Sequence, residues 1–138
     1  MQERTLAILK PDCLEKKLVG EVLQRIQKNG FTISGMKMLH LDEKTAKEFY
    51  KVHKDKPFYS SLIAFMTEGP VIVAVLEKDG AIESWRALMG NTNPKEAAEG
   101  TIRNEFAENV ERNLVHGSDA PDTAKTEVAF FFSTAELL

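Results

Sequence analysis

At 138 residues the chain is expected to form one domain, spanning 1–138, with enough length to bury about two thirds of its unfolded surface. Its 43% hydrophobic and 28% charged residues are the composition of a soluble globular protein, and no apolar run nears the roughly 20 residues of a membrane span. The net charge of -3 argues against nucleic acid as the main partner, because backbone binding needs a basic field, so an anionic ligand must be caught by local cations. The lone Cys13 can form no intramolecular disulfide. Met1-Gln2-Glu3-Arg4 leads straight into strand-like sequence without a signal-peptide core, so a cytoplasmic location is expected.

Arg4 to Leu9 reads as a strand that runs into Lys10-Pro11-Asp12, where Pro11 cannot continue a ladder, so the strand delivers Lys10 to its end. Leu18, Val19, Val22, Leu23 and Ile26 recur at helical spacing, with Asn29-Gly30 as the stop. From Phe31 to His40 the alternation slips at Gly35, which predicts a bulged strand. Asp42 is an N-cap for a helix through Ala46, Phe49, Tyr50 and His53, and Lys56-Pro57 separates it from a second helix beginning near Phe58 and ending at Gly69-Pro70. Val71 to Leu76 is uninterrupted apolar sequence, as suits a central strand covered on both faces. A helix carrying Ile82, Trp85, Leu88 and Met89 closes at Gly90. From Asn91 to Asp122 the pattern offers little beyond a helical patch near Thr101 to Val110, and a loop of that length in a compact domain is usually functional or disordered. Val128 to Phe132 reads as the last strand. Four strands interleaved with helices make an α/β domain; the bare order suggests parallel units, while the double helix between the second and third strands leaves an antiparallel sheet open.

The chemistry centres on Asn113-Leu114-Val115-His116-Gly117-Ser118-Asp119. An imidazole with a reference pKa of about 6.5 is mostly neutral and nucleophilic at pH 7, whereas roughly one lysine in a few thousand carries a free amine there. Gly117 leaves room beside His116 for a bulky group. Neither glycine-rich phosphate cradle occurs, so side chains must hold any phosphate. Lys10 at a strand end, Arg86 in the helix after the central strand, Thr92 beyond Gly90, and Arg103 with Asn113 in the long loop could converge on an anion.

Lys10-Pro11-Asp12, Phe49-Tyr50, Pro57-Phe58, Trp85-Arg86, Gly90-Asn91-Thr92-Asn93-Pro94, Gly100-Thr101-Ile102-Arg103 and the His116 segment stand in the order seen in one family, and the chain resembles nucleoside diphosphate kinase from end to end. The resemblance implies a ferredoxin-like α+β fold with an antiparallel four-stranded sheet, helices on one face and a long nucleotide-site loop. It implies that His116 takes the γ-phosphate, that Glu127 at the start of the last strand orients the other ring nitrogen, and that Ser118 supports the pair. Lys10, Arg86, Thr92, Arg103 and Asn113 would hold phosphates and sugar, Tyr50 would lie close to the histidine, and Phe58 would stack on the base. His40 and His53 are read as structural.

Nucleoside di- and triphosphates are therefore the expected partners, with Mg²⁺ held mainly by the substrate phosphates. A homo-oligomer is expected, and the short tail after Phe132 favours a tetramer over a hexamer. The rival reading is a non-catalytic nucleotide-binding or interaction protein on the same fold; it would be expected to lack His116 or a phosphate-clamping cation, and this chain has them all. An RNA-binding module of the same fold would carry paired aromatics on its central strands, and Val71 to Leu76 is plainly aliphatic.

Overall fold

The computed structural model describes residues 2–138. Strand β1 (Gln2–Leu9) ends where expected, and Pro11 does more than stop it: the fixed φ of proline suits the first helical position, and α1 (Pro11–Glu15) begins there. Helix α2 (Val19–Lys28) turns its Val22 and Ile26 inward and closes at Asn29, followed by Gly30 at φ +85°. Strand β2 (Thr32–Leu39) carries the register slip between Ile33 and Gly35 that the broken alternation predicted. The Asp42 side chain accepts from the Thr45 amide and starts α3 (Glu43–Phe49), which a turn of 3₁₀ helix separates from α4 (Tyr59–Met66). Strand β3 (Val71–Asp79) precedes α5 (Ala81–Met89), and the long segment that follows contains α6 (Ile102–Phe106) and β4 (Val115–Gly117) before α7 (Pro121–Phe131).

All neighbouring strands run antiparallel, in the order β2-β3-β1-β4. This is the ferredoxin-like sheet, and the parallel order suggested by element sequence alone does not occur. Helices cover both faces rather than one, for a reason written in the central strands. Leu6 and Ile8 of β1 point into a cluster with Ala46, Ile63, Met66 and Val128. Ala7 and Leu9 point the other way, against Val22, Ile26, Trp85 and Met89. Successive strand residues face opposite sides, so a run such as Val71-Ile72-Val73-Ala74-Val75-Leu76, buried throughout, needs two apolar layers.

The segment 128–132, read as the last strand, is helical through Phe131. Its Val-Ala-Phe-Phe-Phe run has strand propensity, but Ala124, Val128 and Phe131 repeat at spacings of four and three and are all buried, Val128 and Phe131 in the cluster of Leu6 and Ile8. Pro121 opens the helix, and Thr123 Oγ1 accepts from the Ala120 amide 3.0 Å away. Tertiary burial of that stripe overrides local preference. The fourth strand is β4, only three residues long, whose register sets Gly117, His116 and Val115 opposite Ala7, Ile8 and Leu9.

Gly117 lets the edge strand approach the helix layer closely. A Cβ there would fall 2.6 Å from both Cε of Met89 and Cδ1 of the fully buried Trp85. Methionine can bend away, but the indole is wedged. We expect Gly117→Ala to lose about 1 to 3 kcal/mol of stability through overpacking, read as a lower midpoint in denaturant unfolding; an unchanged midpoint would mean that Trp85 relocates freely.

Candidate active site

His116 is held through its backbone and through one ring nitrogen. Its carbonyl accepts from Trp85 Nε1 at 3.0 Å, and its neighbours are paired to β1. Nε2 lies 2.9 Å from Glu127 Oε1. A carboxylate only accepts, so Nε2 carries the proton and the neutral ring keeps its lone pair on Nδ1. Ser118 Oγ donates to the same Glu127 oxygen at 2.8 Å and accepts from the Leu6 amide at 3.2 Å, which ties the carboxylate to β1. Burial pushes the Glu127 carboxyl up, but the hydrogen bond and charge of His116 and the Ser118 hydroxyl pull it down further, leaving it below its ordinary value and ionised at neutral pH. Glu127 is mid-helix on α7 and not at a strand start, so it reaches the ring from the side, one turn before Phe131 docks.

A cavity of about 480 Å³ opens in front of the ring, and its walls include Lys10, Tyr50, Phe58, Arg86, Thr92, Arg103, Asn113 and His116. Eight of the ten residues singled out in the sequence thus converge, from β1, α3, α4, α5 and the long loop. Ser118 and Glu127 stand outside this cavity, Ser118 fully buried and Glu127 on an adjoining one that also touches His116. The sequence reading missed His53, Leu62, Val110, Glu111 and Asp119, which line the same space. His53, taken as structural, stacks near Tyr50 at 6.3 Å and lies 5.5 Å from the Phe58 ring. Nothing in its local pattern marks it, because the 3₁₀ turn that aims it has no periodic signature.

The cations differ in how they are held. Lys10 Nζ is 2.8 Å from Asn113 Oδ1, and Asn113 Nδ2 donates in turn to Val110 O at 2.8 Å and Thr92 O at 3.3 Å. Burial, then the neighbouring Arg103 charge, lowers the Lys10 ammonium to about 8, against weaker support from Asp12 and Glu111. Arg103 donates to the carbonyls of Asn113 at 3.4 Å, Gly90 at 2.9 Å and Val115 at 2.7 Å. It stitches the long loop to β4 with three of its five N–H groups and keeps two for a ligand. Burial and Arg86 bring it down to about 10, still charged at neutral pH. Arg86 is half exposed and pairs with Asp119 at 2.7 Å, a solvent-facing contact that a stronger anion can displace.

Tyr50 completes the wall. Its hydroxyl is buried and, among the described residues, has no hydrogen-bond partner. Burial and then the Glu127 charge push the phenol above its ordinary value, so it stays a neutral donor beside the histidine, ring centroids 6.4 Å apart. At the outer end Phe58 and Val110 are about half exposed, and with Leu62 they give the cavity an apolar side.

A buried ammonium lowered to about 8 has a consequence for stability. Below that pH both folded and unfolded chains hold the proton, and the folded state bears the full cost of the buried charge. Between pH 8 and the ordinary 10.5 the unfolded chain still binds a proton that the native protein has released, so stability climbs with pH, by roughly 3 kcal/mol in total. We expect denaturant titrations to show the wild type gaining stability relative to Lys10→Met across this range. Parallel curves for the two proteins would mean that Lys10 titrates near its ordinary value.

The geometry agrees with what the chain is similar to. The family model described as nucleoside diphosphate kinase matches residues 3–137. The nucleoside diphosphate kinase of Desulfosudis oleivorans is 54% identical over 136 residues, covering 99% of this chain and 98% of that protein. That of Coxiella burnetii is 53% identical over 135 residues, covering 98% of this chain and 97% of its own length. Among solved structures, the Aquifex aeolicus nucleoside diphosphate kinase superimposes with a TM-score of 0.98 at 41% identity, both chains fully covered. The Halobacterium salinarum enzyme, solved in complex with CDP, gives 0.96 at 39% identity, covering all of this chain and 92% of that one. An antiparallel sheet in this order, a carboxylate-oriented histidine facing a cation-lined cavity, and identity above one half over nearly the whole length lead to one conclusion: the chain belongs to the nucleoside diphosphate kinase family.

Proposed function

We propose that the chain carries the γ-phosphate of a nucleoside triphosphate to a nucleoside diphosphate through a phosphohistidine at Nδ1 of His116, in two half-reactions that use one cavity in turn. The observation that carries this reading is the engagement of Nε2 by Glu127, which leaves Nδ1 as the ring's nucleophile beside three cations. In the first half-reaction the Nδ1 lone pair forms the N–P bond as the bond from γ-phosphorus to the bridging oxygen breaks, and the nucleoside diphosphate leaves with that oxygen's electrons. Positive charge grows on the ring, and the Nε2–H bond to Glu127 strengthens to meet it. The second half-reaction reverses these steps onto a new diphosphate.

Phosphoryl transfer depends on in-line positioning and charge neutralisation more than on covalent chemistry. Lys10, Arg86 and Arg103 supply cations, Thr92 and Asn113 neutral polar contacts, and the unpartnered Tyr50 hydroxyl a donor close to the histidine. Magnesium would enter with the substrate phosphates: Glu111 accepts from Ser61, Asp119 pairs with Arg86 at the surface, and among the described residues no three His, Cys, Asp or Glu converge on a metal position. When bound it would neutralise part of the triphosphate charge and ease departure of the bridging oxygen.

Self-association, as a tetramer or hexamer, is part of this reading. The outer edge of β2 pairs with no described strand and exposes Met36 and Met38. A single unit over 1–138 working on dissolved nucleotides in the cytoplasm completes it; no described helix is long and apolar enough to cross a membrane.

Incubation with γ-labelled ATP tests the chemistry. We expect a base-stable, acid-labile label on the wild type and none on folded His116→Ala; label retained by that variant would overturn the assignment. Glu127→Gln should slow labelling by about tenfold to a hundredfold without abolishing it, since an amide can still accept from Nε2 but cannot stabilise the charged ring.

Base choice is the second prediction. The apolar side formed by Phe58, Leu62 and Val110 can stack on any base at roughly 1 to 3 kcal/mol, and the CDP held by the halobacterial relative fits a site that takes pyrimidines. We expect kcat/KM for ATP, GTP, CTP and dTTP as donors to lie within about a hundredfold, nearly 3 kcal/mol, and Phe58→Ala to weaken all four by a similar factor. A larger preference for one base would reveal an edge-reading group.

A further inference from the structure

One buried carboxylate in this region touches neither the cavity nor the histidine. Asp12 is fully inaccessible. Its Oδ1 accepts from the Cys13 amide and its Oδ2 from the Leu114 amide, each at 3.1 Å. Leu114 is itself unusual. It is a buried non-glycine residue at φ +75°, and Val115 N donates across it to Asn113 O at 2.9 Å, which is the strained form of the γ-turn. The other face of the turn is held too, because Lys10 N donates to Leu114 O at 2.8 Å. Residues 10–12 therefore grip the Leu114 peptide units from both sides.

What the turn connects gives the grip its purpose. Asn113, just before it, receives Lys10 Nζ, and Val115, just after it, opens the three-residue strand that carries His116. Released to an extended conformation, the chain would redirect one of these two side chains relative to the other. Leucine gains nothing in the left-handed region by itself, so the bend persists only while its neighbours impose it.

We propose that Asp12 is a positioning residue for phosphoryl transfer: its carboxylate clamps the left-handed Leu114 turn and so sets His116 in line with phosphates bound at Lys10 and Asn113. It acts through Leu114 and touches no substrate. Burial raises the Asp12 carboxyl above its ordinary value, while Lys10, the Leu114 amide, Arg112 and the Cys13 amide pull it back. The inference rests on His116 as the phosphate acceptor, and its test keeps the two claims apart.

Asp12→Asn retains the shape and one acceptor oxygen, which can take the Leu114 amide while its NH2 is turned to the Cys13 amide, and loses the charge, whereas Asp12→Ala loses every acceptor as well. Each is followed by single-turnover labelling of His116 at saturating ATP, by ADP titration calorimetry and by thermal unfolding. Positioning predicts that Asp12→Asn stays within about fivefold of the wild-type labelling rate and that Asp12→Ala falls by about fiftyfold or more, with ADP affinity within about threefold in both. A folded Asp12→Ala that labels within fivefold of wild type would overturn the proposal. So would an Asp12→Asn as slow as Asp12→Ala, or a loss confined to ADP affinity, since either assigns Asp12 to the charge of Lys10. If Asp12→Ala does not fold, Asp12→Ser, whose hydroxyl is too short to reach both amides, takes its place under the same criteria. In each of these outcomes the label still resides on His116, whereas label that survives His116→Ala defeats the underlying chemistry instead.

Discussion

The site depends on one short pairing, the three residues of β4 against Ala7, Ile8 and Leu9 of β1. A strand of three residues cannot sustain itself, and its outer edge has no further strand to complete the ladder. Side chains supply the missing partners: Arg103 to the carbonyls of Asn113 and Val115, Trp85 to that of His116, and Ser118 Oγ to the Leu6 amide. Those four contacts convert a marginal edge strand into a rigid mount for an imidazole.

The mount is built from groups that are expensive to bury. Lys10, Asp12, Arg103, Asn113 and Ser118 are all at most 8% exposed, against a sheet whose buried side chains are otherwise mostly aliphatic. Each is hydrogen-bonded, as a buried polar group must be, but the cationic pair is not neutralised by a carboxylate in contact. Lys10 and Arg103 both lie below their ordinary pKa values because burial disfavours their charge, with Arg103 acting further on Lys10 and Arg86 on Arg103. A bound phosphate would relieve that repulsion, so part of the binding free energy comes from the protein's own charges. Stability is sacrificed locally where the chemistry needs positive charge, and the two apolar clusters elsewhere offset it.

Arg86 belongs to a different regime. Paired to Asp119 at the surface, with side chains 50% and 78% exposed, it is held by a screened contact that is easily exchanged. The inner cations are therefore fixed before substrate arrives, and the outer one can turn toward it. Phe58 and Val110, about half exposed, give the same cavity an apolar side that is open to solvent.

Much of this was legible in the sequence. The bulge at Gly35, the Asp42 cap, the central strand buried on both faces and the convergence of Lys10, Arg86, Arg103, Asn113 and His116 follow from periodicity, turn chemistry and the order of rare motifs. These signals are local, or are carried by words long enough to identify the family. Other features were decided only in three dimensions. The run at 128–132 has strand propensity, yet it is helical through Phe131 because Ala124, Val128 and Phe131 bury one stripe together, and that helix brings Glu127 to the ring. Strand β4 is too short to show a period, and it exists because β1 offers it an edge. The left-handed Leu114 has no sequence signature, since a leucine adopts that backbone only when contacts distant in the chain, here the Asp12 carboxylate and the Lys10 amide, outweigh its intrinsic preference. Composition and motif thus determined which chemistry the chain can perform, while the direction in which the His116 ring and its neighbours point was settled by packing between segments, from 11 residues apart for His116 and Glu127 to 102 for Asp12 and Leu114, which no local pattern encodes.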